Sequence, residues 1–385
     1  MIAKPSQRDK AARRVHLVDT TLRDGEQTPG VSFSLTEKLA IVSALSRLGA
    51  SELEVGIPAM GRQSRQEIRA IARAGLSSRL TVWCRATEQD IDAARQCQTE
   101  GIHLSLPVSA IQLEAMGKDL SWALEQLESA VLLARRDFGY VSVGAQDASR
   151  TDAETLRRFT TAVSRVGANR LRLADTVGIW NPMQTFETFT SLLAAADGIE
   201  LAFHGHNDLG MATANTLAAF AAGAGWADVT VTGLGERAGN APLEEVAVAA
   251  GVSADLDTGI DTTSLPELCK MVSLISGRAI HPAKPIVGDN AFVHESGIHV
   301  RALLADRRAY EPFDPARVGR GESRFVVGSH SGTAGLRFAM EELGVQLDDD
   351  QARALLAQVR RLARQVKQPL AGAELLDLYR QLPAS

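Results

Sequence analysis

The sequence predicts a closed (β/α)8 barrel, a TIM barrel, followed by a mainly helical annex. Three observations predict it. Short β-rich apolar runs alternate with longer stretches of helical spacing. The helical stretches end in glycine just before the next run. Eight such units fit between residue 15 and about residue 251, which is the length a barrel takes as one domain. Strand-then-helix alternation of this kind makes a parallel sheet; the alternative is an open doubly wound sheet.

In chain order, residues 1–14 are polar and somewhat basic and read as a flexible lead. They lack the apolar stretch of a secretory signal. The strand candidates are 15–18, 52–55, 80–85, 102–106, 140–143, 170–173, 200–203 and 227–231. The clearest helices are 36–48, with Thr36 as its cap and Gly49 as its stop, 62–74 before Gly75, 152–166 before Gly167 and 215–222 before Gly223. The barrel is assigned to 15–277, ending on a helix at 265–277, and the annex to 278–385. The annex opens on a proline-marked connector at 279–285 and continues through 292–304, 333–343, 349–366 and 373–382.

Composition narrows the function. A net charge of −5 without a large basic face gives no footing for nucleic acid. No apolar run approaches the roughly 18 residues of a membrane span. Cys84, Cys97 and Cys269 are few, odd in number and widely spaced, which fits a reducing cytoplasm better than a disulfide framework.

Polar residues collect where the strands end, and the C-terminal ends of the strands are where barrel enzymes keep their sites. Strand one runs into Asp19-Thr20-Thr21-Leu22-Arg23-Asp24-Gly25-Glu26-Gln27. Strand seven ends in His204-Gly205-His206. Residues i and i+2 of a strand share a face and lie about 7 Å apart, so the two imidazoles can hold one divalent cation. Asp24 offers a carboxylate and Asn240 an amide oxygen to the same ion, a set that suits Zn²⁺, Mn²⁺ or Mg²⁺. The turn Gly233-Leu234-Gly235 with Gly239-Asn240 lacks the spacing of a nucleotide-binding G-x-G-x-x-G loop.

These motifs together resemble a known family. Segments 19–27 (DTTLRDGEQ), 54–58 (EVGIP), 174–178 (ADTVG), 204–209 (HGHNDL), 210–219 (GMATANTLAA), 233–241 (GLGERAGNA) and 294–300 (HESGIHV) are similar to the acyl-CoA-condensing synthases of the metal-dependent barrel lyases, namely the homocitrate, isopropylmalate and citramalate synthases. Segments 56–61 (GIPAMG), 83–85 (WCR), 104–109 (LSLPVS) and 147–150 (DASR) look most like the homocitrate synthases of nitrogen-fixing bacteria.

The resemblance implies an acyltransferase that joins acetyl-CoA to 2-oxoglutarate, giving homocitrate and CoA, in a cytoplasmic homodimer. The implied metal ligands are Asp24, His204, His206 and Asn240. Arg23 is implied to face the oxyanion, a task suited to its planar fork of donors. Gln27 and Thr176 are expected at the substrate carboxylate, and Glu54 at the substrate or at Arg23. The annex is implied to supply His299 and Tyr310 for deprotonating the acetyl methyl group, reaching across the dimer. Arg85 is expected to read the second carboxylate of 2-oxoglutarate. His103, near the start of its strand, is expected to be structural. Two departures stand out: Gln146-Asp147 replaces the usual Glu-Asp, and Gly328-Ser329-His330-Ser331-Gly332 has serine where relatives commonly carry lysine.

Overall fold

A computed structural model describes residues 12–382. The chain divides into two compact units, Met1–Ile280 and His281–Ser385.

Eight parallel strands close the barrel of the first unit in chain order. They are β1 His16–Asp19, β2 Glu52–Glu54, β3 Arg79–Arg85, β4 Gly101–Pro107, β5 Tyr140–Gln146, β6 Arg170–Asp175, β7 Glu200–Gly205 and β8 Trp226–Val229. Closure is made by β8 pairing with β1, where His16 lies opposite Trp226 and Asp19 opposite Val229. The helices around it are α1 Leu35–Arg47, α2 Arg62–Ala72, α3 Glu88–Arg95, α4 Ala110–Ala115, α5 Leu120–Ala134, α6 Ala153–Arg165, α7 Pro182–Leu192, α8 Ala212–Ala221, α9 Leu243–Ser253 and α10 Leu265–Ser276.

Several boundaries differ from expectation. Thr36 is not the cap of α1. Ser34 is: it accepts from the Glu37 amide at 3.3 Å while Glu37 accepts from the Ser34 amide at 2.7 Å, a reciprocal capping box. The N-terminal lead is also shorter at its inner end. Arg13–Arg14 form a short strand against Leu256–Asp257, while residues 1–11 lie outside the described residues. The eighth strand stops at Val229, because Val231 opens a tight turn in which Thr232 takes φ 59°. The sequence reading delimited no α3, α5 or α7, although Thr87, Asp119 and Asn181 cap them through side-chain oxygens.

The barrel interior is charged, which is unusual for a layer commonly filled by branched apolar residues. Inward positions alternate along each strand. On β2 they are Glu52 and Glu54, and on β6 Arg170 and Arg172, all buried. Arg170 meets Glu52 through two contacts of 2.7 and 3.0 Å. Its guanidinium carbon also lies 4.7 Å from the Trp226 ring centroid. The apolar residues point outward to the helices: Leu53, Leu171 and Leu173 are all at most 1% exposed.

The second unit is mainly helical: α11 Gly297–Ala305, α12 Thr333–Glu342, α13 Asp349–Val366 and α14 Gly372–Arg380. The expected element at 292–304 splits into a two-residue strand, Val293–His294, and α11. Leu355, Leu356, Val359 and Ala363 of α13 fall at helical spacing and pack with Leu336, Met340, Leu370 and Leu375. No described helix is long and apolar enough to cross a membrane. The three cysteines are buried thiols.

Candidate metal centre and active site

A cavity of about 250 Å³ opens at the C-terminal end of the barrel, lined by residues of the loops and ends of β1 and β3 to β8. Arg23, Asp24, Gln27, Thr176, His204 and His206 all face it.

Asp24, His204 and His206 offer one ligand atom each within 4.8 Å of one another, and all three are buried. The two imidazole Nε2 atoms lie 3.4 Å apart. Asp24 Oδ2 is 3.3 Å from Nε2 of His204 and 4.0 Å from that of His206. His206 sits just past the end of β7 and bridges to Asn240 through the backbone. Asn240 donates its Nδ2 to the Leu234 carbonyl at 2.9 Å, and its Oδ1 is buried without a partner, as is Oδ2 of Asp24. Buried polar atoms rarely go unpaired. The orphaned Asp24 oxygen and the two facing imidazole nitrogens are a donor set that a divalent cation satisfies, with Asn240 held beside His206 by the backbone bridge.

Glycine shapes this corner. Gly239 has φ +84°, and a Cβ there would come within 1.9 Å of the Gly233 carbonyl oxygen. A Cβ on Gly235 would lie 2.3 Å from Asn240 Nδ2. The loop therefore folds on itself to aim Asn240, which is the tight-loop role of these glycines rather than a phosphate cradle.

Electrostatics fit the same set. Burial opposes charge on Asp24, but Arg23 and then His204 hold its carboxyl far below the ordinary range. Burial likewise opposes charge on His204, yet the Asp228 and Asp24 carboxylates outweigh it and raise its pKa. His206, buried beside His204, is pushed down to about 4. A ligand imidazole must be neutral, so a cation competes with the proton on His204. Its raised pKa means that protonation wins at higher pH than for a free imidazole. Apparent Mn²⁺ affinity should be flat above that pKa and fall about tenfold per pH unit below it. His206 adds no slope until about pH 4. Chelator competition between pH 5 and 8 checks this, and an affinity rising toward acid would contradict it.

Arg23 is 8% exposed. It contacts Asp24 Oδ1 at 3.0 Å and donates its Nε to Glu54 Oε1. Glu54 also accepts from Arg172 at 3.0 Å. With both oxygens engaged by arginines and no face on the cavity, Glu54 orients Arg23; the alternative of a direct substrate contact is not supported by its placement. Thr176 accepts from the Asp147 amide at 2.8 Å, which leaves its hydroxyl hydrogen for the cavity.

Arg85 is not brought to the cavity. Its guanidinium is held by Asp90 at 2.8 and 3.0 Å, and its side chain is 62% exposed. Asp90 sits in the first turn of α3, and that carboxylate draws the arginine outward. His103 is the converse correction. It is buried, lines the cavity and bonds Ser142 at 3.0 Å. Burial and then Arg172 push its pKa well below the ordinary value, so it is neutral. Gly144 makes room for it, since a Cβ there would meet His103 Nε2 at 2.6 Å.

The remaining motif residues tie loops together. Arg237 chelates Asp208 at 2.8 and 2.9 Å and donates to the Thr176 carbonyl at 2.8 Å. Asp175 caps the following turn through the Ile179 and Trp180 amides. Glu26, without a role in the sequence reading, accepts from the Phe33 amide at 3.0 Å and pairs with Lys38 at 3.0 Å, pinning the loop after β1 to α1.

In the second unit, His299 and Tyr310 stack with ring centroids 4.0 Å apart. His299 is exposed and Tyr310 is 42% exposed. The Gly328–Gly332 turn grips the start of α11: Gly297 donates to the His330 carbonyl at 3.1 Å, and Glu295 accepts from the His330 amide at 2.8 Å. Ser329 takes no part in those bonds, so the departure from lysine leaves the turn itself intact.

Comparison with known proteins places the chain. Residues 14–272 match the HMGL-like family model, and residues 286–367 the model described as homocitrate synthase post-HMGL domain-like. It is 45% identical to 2-isopropylmalate synthase 2 of Caldanaerobacter subterraneus subsp. tengcongensis, over 96% of both chains. It is 43% identical to homocitrate synthase 1 of Nostoc sp., over 96% of this chain and 97% of that one. Among solved structures, hydroxymethylglutaryl-CoA lyase from Pseudomonas aeruginosa superposes with a TM-score of 0.64 at 21% identity, covering 77% of this chain and 99% of the other, a likeness of fold. The chain belongs to the HMGL-like family, and within it to the acetyl-CoA-condensing synthases that include the isopropylmalate and homocitrate synthases.

Proposed function

We propose that this enzyme condenses acetyl-CoA with 2-oxoglutarate and water to give homocitrate and free CoA. The observation that carries the reading is the buried Asp24–His204–His206 cluster with Arg23 at its side. When bound there, a divalent ion supplies Lewis-acid polarisation of a ketone and an anchor for the neighbouring carboxylate. Arg23 faces the oxygen on which charge develops as the new carbon–carbon bond forms. Gln27 and Thr176 are neutral partners for the carboxylate next to the ketone. His299 with Tyr310 is the group proposed to take the proton from the acetyl methyl, presented from the second unit, with a homodimer as the working form in the cytoplasm. Water then cleaves the thioester and releases CoA.

The choice of 2-oxo acid rests on the cavity wall. Arg85 is engaged elsewhere, and the wall offers the neutral groups of Trp83, His103, Ser105 and Gln146 beside Glu236 and the cations Arg172 and Arg237, which are already paired with Glu54, Asp228 and Asp208. His103 pairs Nδ1 with the Ser142 hydroxyl, and in the tautomer where that hydroxyl donates, Nε2–H is left for a distal carboxylate. A branched aliphatic chain would leave these groups unpaired, at a cost of about 1–3 kcal/mol each. The expected result in a CoA-release assay with a panel of 2-oxo acids is the highest kcat/KM for 2-oxoglutarate. Faster turnover of 2-oxoisovalerate or pyruvate would assign the chain to the isopropylmalate or citramalate reaction instead. CoA-independent cleavage would make it a lyase.

A further inference from the structure

Six buried side chains, four of them lining the cavity, close a ring of charged contacts. Arg23 Nη1 meets Asp24 Oδ1 at 3.0 Å, and Asp24 Oδ2 lies 3.3 Å from His204 Nε2. His204 Nδ1 meets Asp228 Oδ2 at 3.0 Å, and the same oxygen accepts from Arg172 Nη1 at 2.5 Å. Arg172 Nη1 also reaches Glu54 Oε2 at 3.0 Å, and Glu54 Oε1 returns to Arg23 Nε. Each of these side chains is at most 8% exposed. Arg172 lines the cavity and Asp228 backs His204 from behind, and the ring does not close without them.

We propose that Asp228 and Arg172 are positioning residues: Asp228 sets the tautomer and ring plane of His204, and Arg172 ties that carboxylate through Glu54 to Arg23. Both ring nitrogens of His204 face a carboxylate, Nδ1 at 3.0 Å from Asp228 and Nε2 at 3.3 Å from Asp24, and a neutral imidazole has one hydrogen, which the closer Asp228 contact claims. A carboxylate only accepts, so Nδ1 carries the hydrogen and Nε2 presents its lone pair toward Asp24 and His206. A ligand histidine oriented from behind by a carboxylate binds metal more tightly than one left to turn. Arg172 holds Asp228 in place through a short contact to the same oxygen that faces His204. Because Glu54 is shared between Arg172 and Arg23, a shift of the ligand histidine is transmitted to the oxyanion arginine. The inference rests on reading Asp24, His204 and His206 as metal ligands, and its test separates the two.

The experiment uses the full chain with Mn²⁺ alone as probe, titrated by the EPR signal of the free ion, and ¹⁵N-histidine NMR on the metal-free protein. At a pH high enough for the imidazole to be neutral, the parent should show His204 as the Nδ1–H tautomer. Asp228→Asn should mix the tautomers and weaken Mn²⁺ about 10- to 100-fold, while the conservative Asp228→Glu should keep the tautomer and most of the affinity. Arg172→Gln, which touches no ligand, should weaken Mn²⁺ severalfold, and it carries the test if Asp228→Asn does not fold. Parent-like tautomer and affinity in Asp228→Asn, or parent-like affinity in Arg172→Gln, would overturn the corresponding half. A parent that binds no Mn²⁺ would sink the metal reading, while the tautomer measurement would still decide the role of Asp228.

Discussion

Replacing Asp24 with alanine should remove divalent-cation binding and lower CoA release by roughly a thousandfold or more, the loss expected when several kcal/mol of Lewis-acid stabilisation disappear. Asp24 is the only carboxylate within the ligand cluster. With His204 neutral, the buried ring holds two guanidinium charges against the carboxylates of Asp24, Glu54 and Asp228, leaving one negative charge for a cation to answer. Alanine at position 24 cancels that charge. Two neutral imidazoles and an amide then bind a hard cation weakly. The fold should survive, because Arg23 keeps Glu54 as its partner and the deleted atoms lie beside a cavity rather than in the apolar layer. Asp24→Asn keeps an oxygen without its charge and should fall between. Metal affinity, CoA release and melting temperature on the same preparations check the argument. Near-parent turnover or affinity in Asp24→Ala would refute the site.

The ligand pair was legible because i, i+2 spacing on a strand is a local rule, and the barrel because glycine-stopped helices alternate with apolar runs. What escaped depended on contacts distant in sequence or on strand stagger. Glu52 and Arg170 are 118 positions apart. Read locally, Glu52-Leu53-Glu54 and Arg170-Leu171-Arg172-Leu173 are strands with one wet face. Barrel closure turns that face inward, and the charges become the core. The sequence places His103 away from the mouth because it lies near the start of its strand. The stagger of tilted barrel strands pairs it with Trp83, close to the far end of β3. Arg85 sits at a strand end as expected, but Thr87 starts α3 so early that Asp90 captures it. That signal was present: an arginine followed by a cap residue and an acid in the first helical turn.

Arg170→Met should destabilise the barrel by about 3–5 kcal/mol, the cost of leaving one partner of a buried ion pair uncompensated. Arg170 and Glu52 are both fully buried. Once Arg170 is gone, Glu52 retains Arg79 at 3.3 Å and the Thr81 hydroxyl at 3.0 Å. Those two partners put the effect at the lower end of that range, and they do not cancel it, because Arg79 is one-third exposed and partly screened. Packing is lost too, since the guanidinium stacks between Tyr140 and Trp226 at 5.3 and 4.7 Å. The companion Glu52→Gln/Arg170→Met removes both charges and should recover much of the loss, because the desolvation of two ions is removed with their attraction. Urea unfolding of the two variants measures the difference, and a cost below about 1 kcal/mol for Arg170→Met would show that the pair does not hold the barrel. Mn²⁺ affinity adds a second axis. Arg170 lies outside the cavity and outside the ring that orients His204, so stability should fall while cation binding in the folded fraction stays at the parent value. The opposite pattern, weak binding with modest loss of stability, is expected one layer up at Asp228, so two arginine–carboxylate layers two residues apart on the same strands would separate by function: the lower one holds the barrel closed and the upper one aims its ligands.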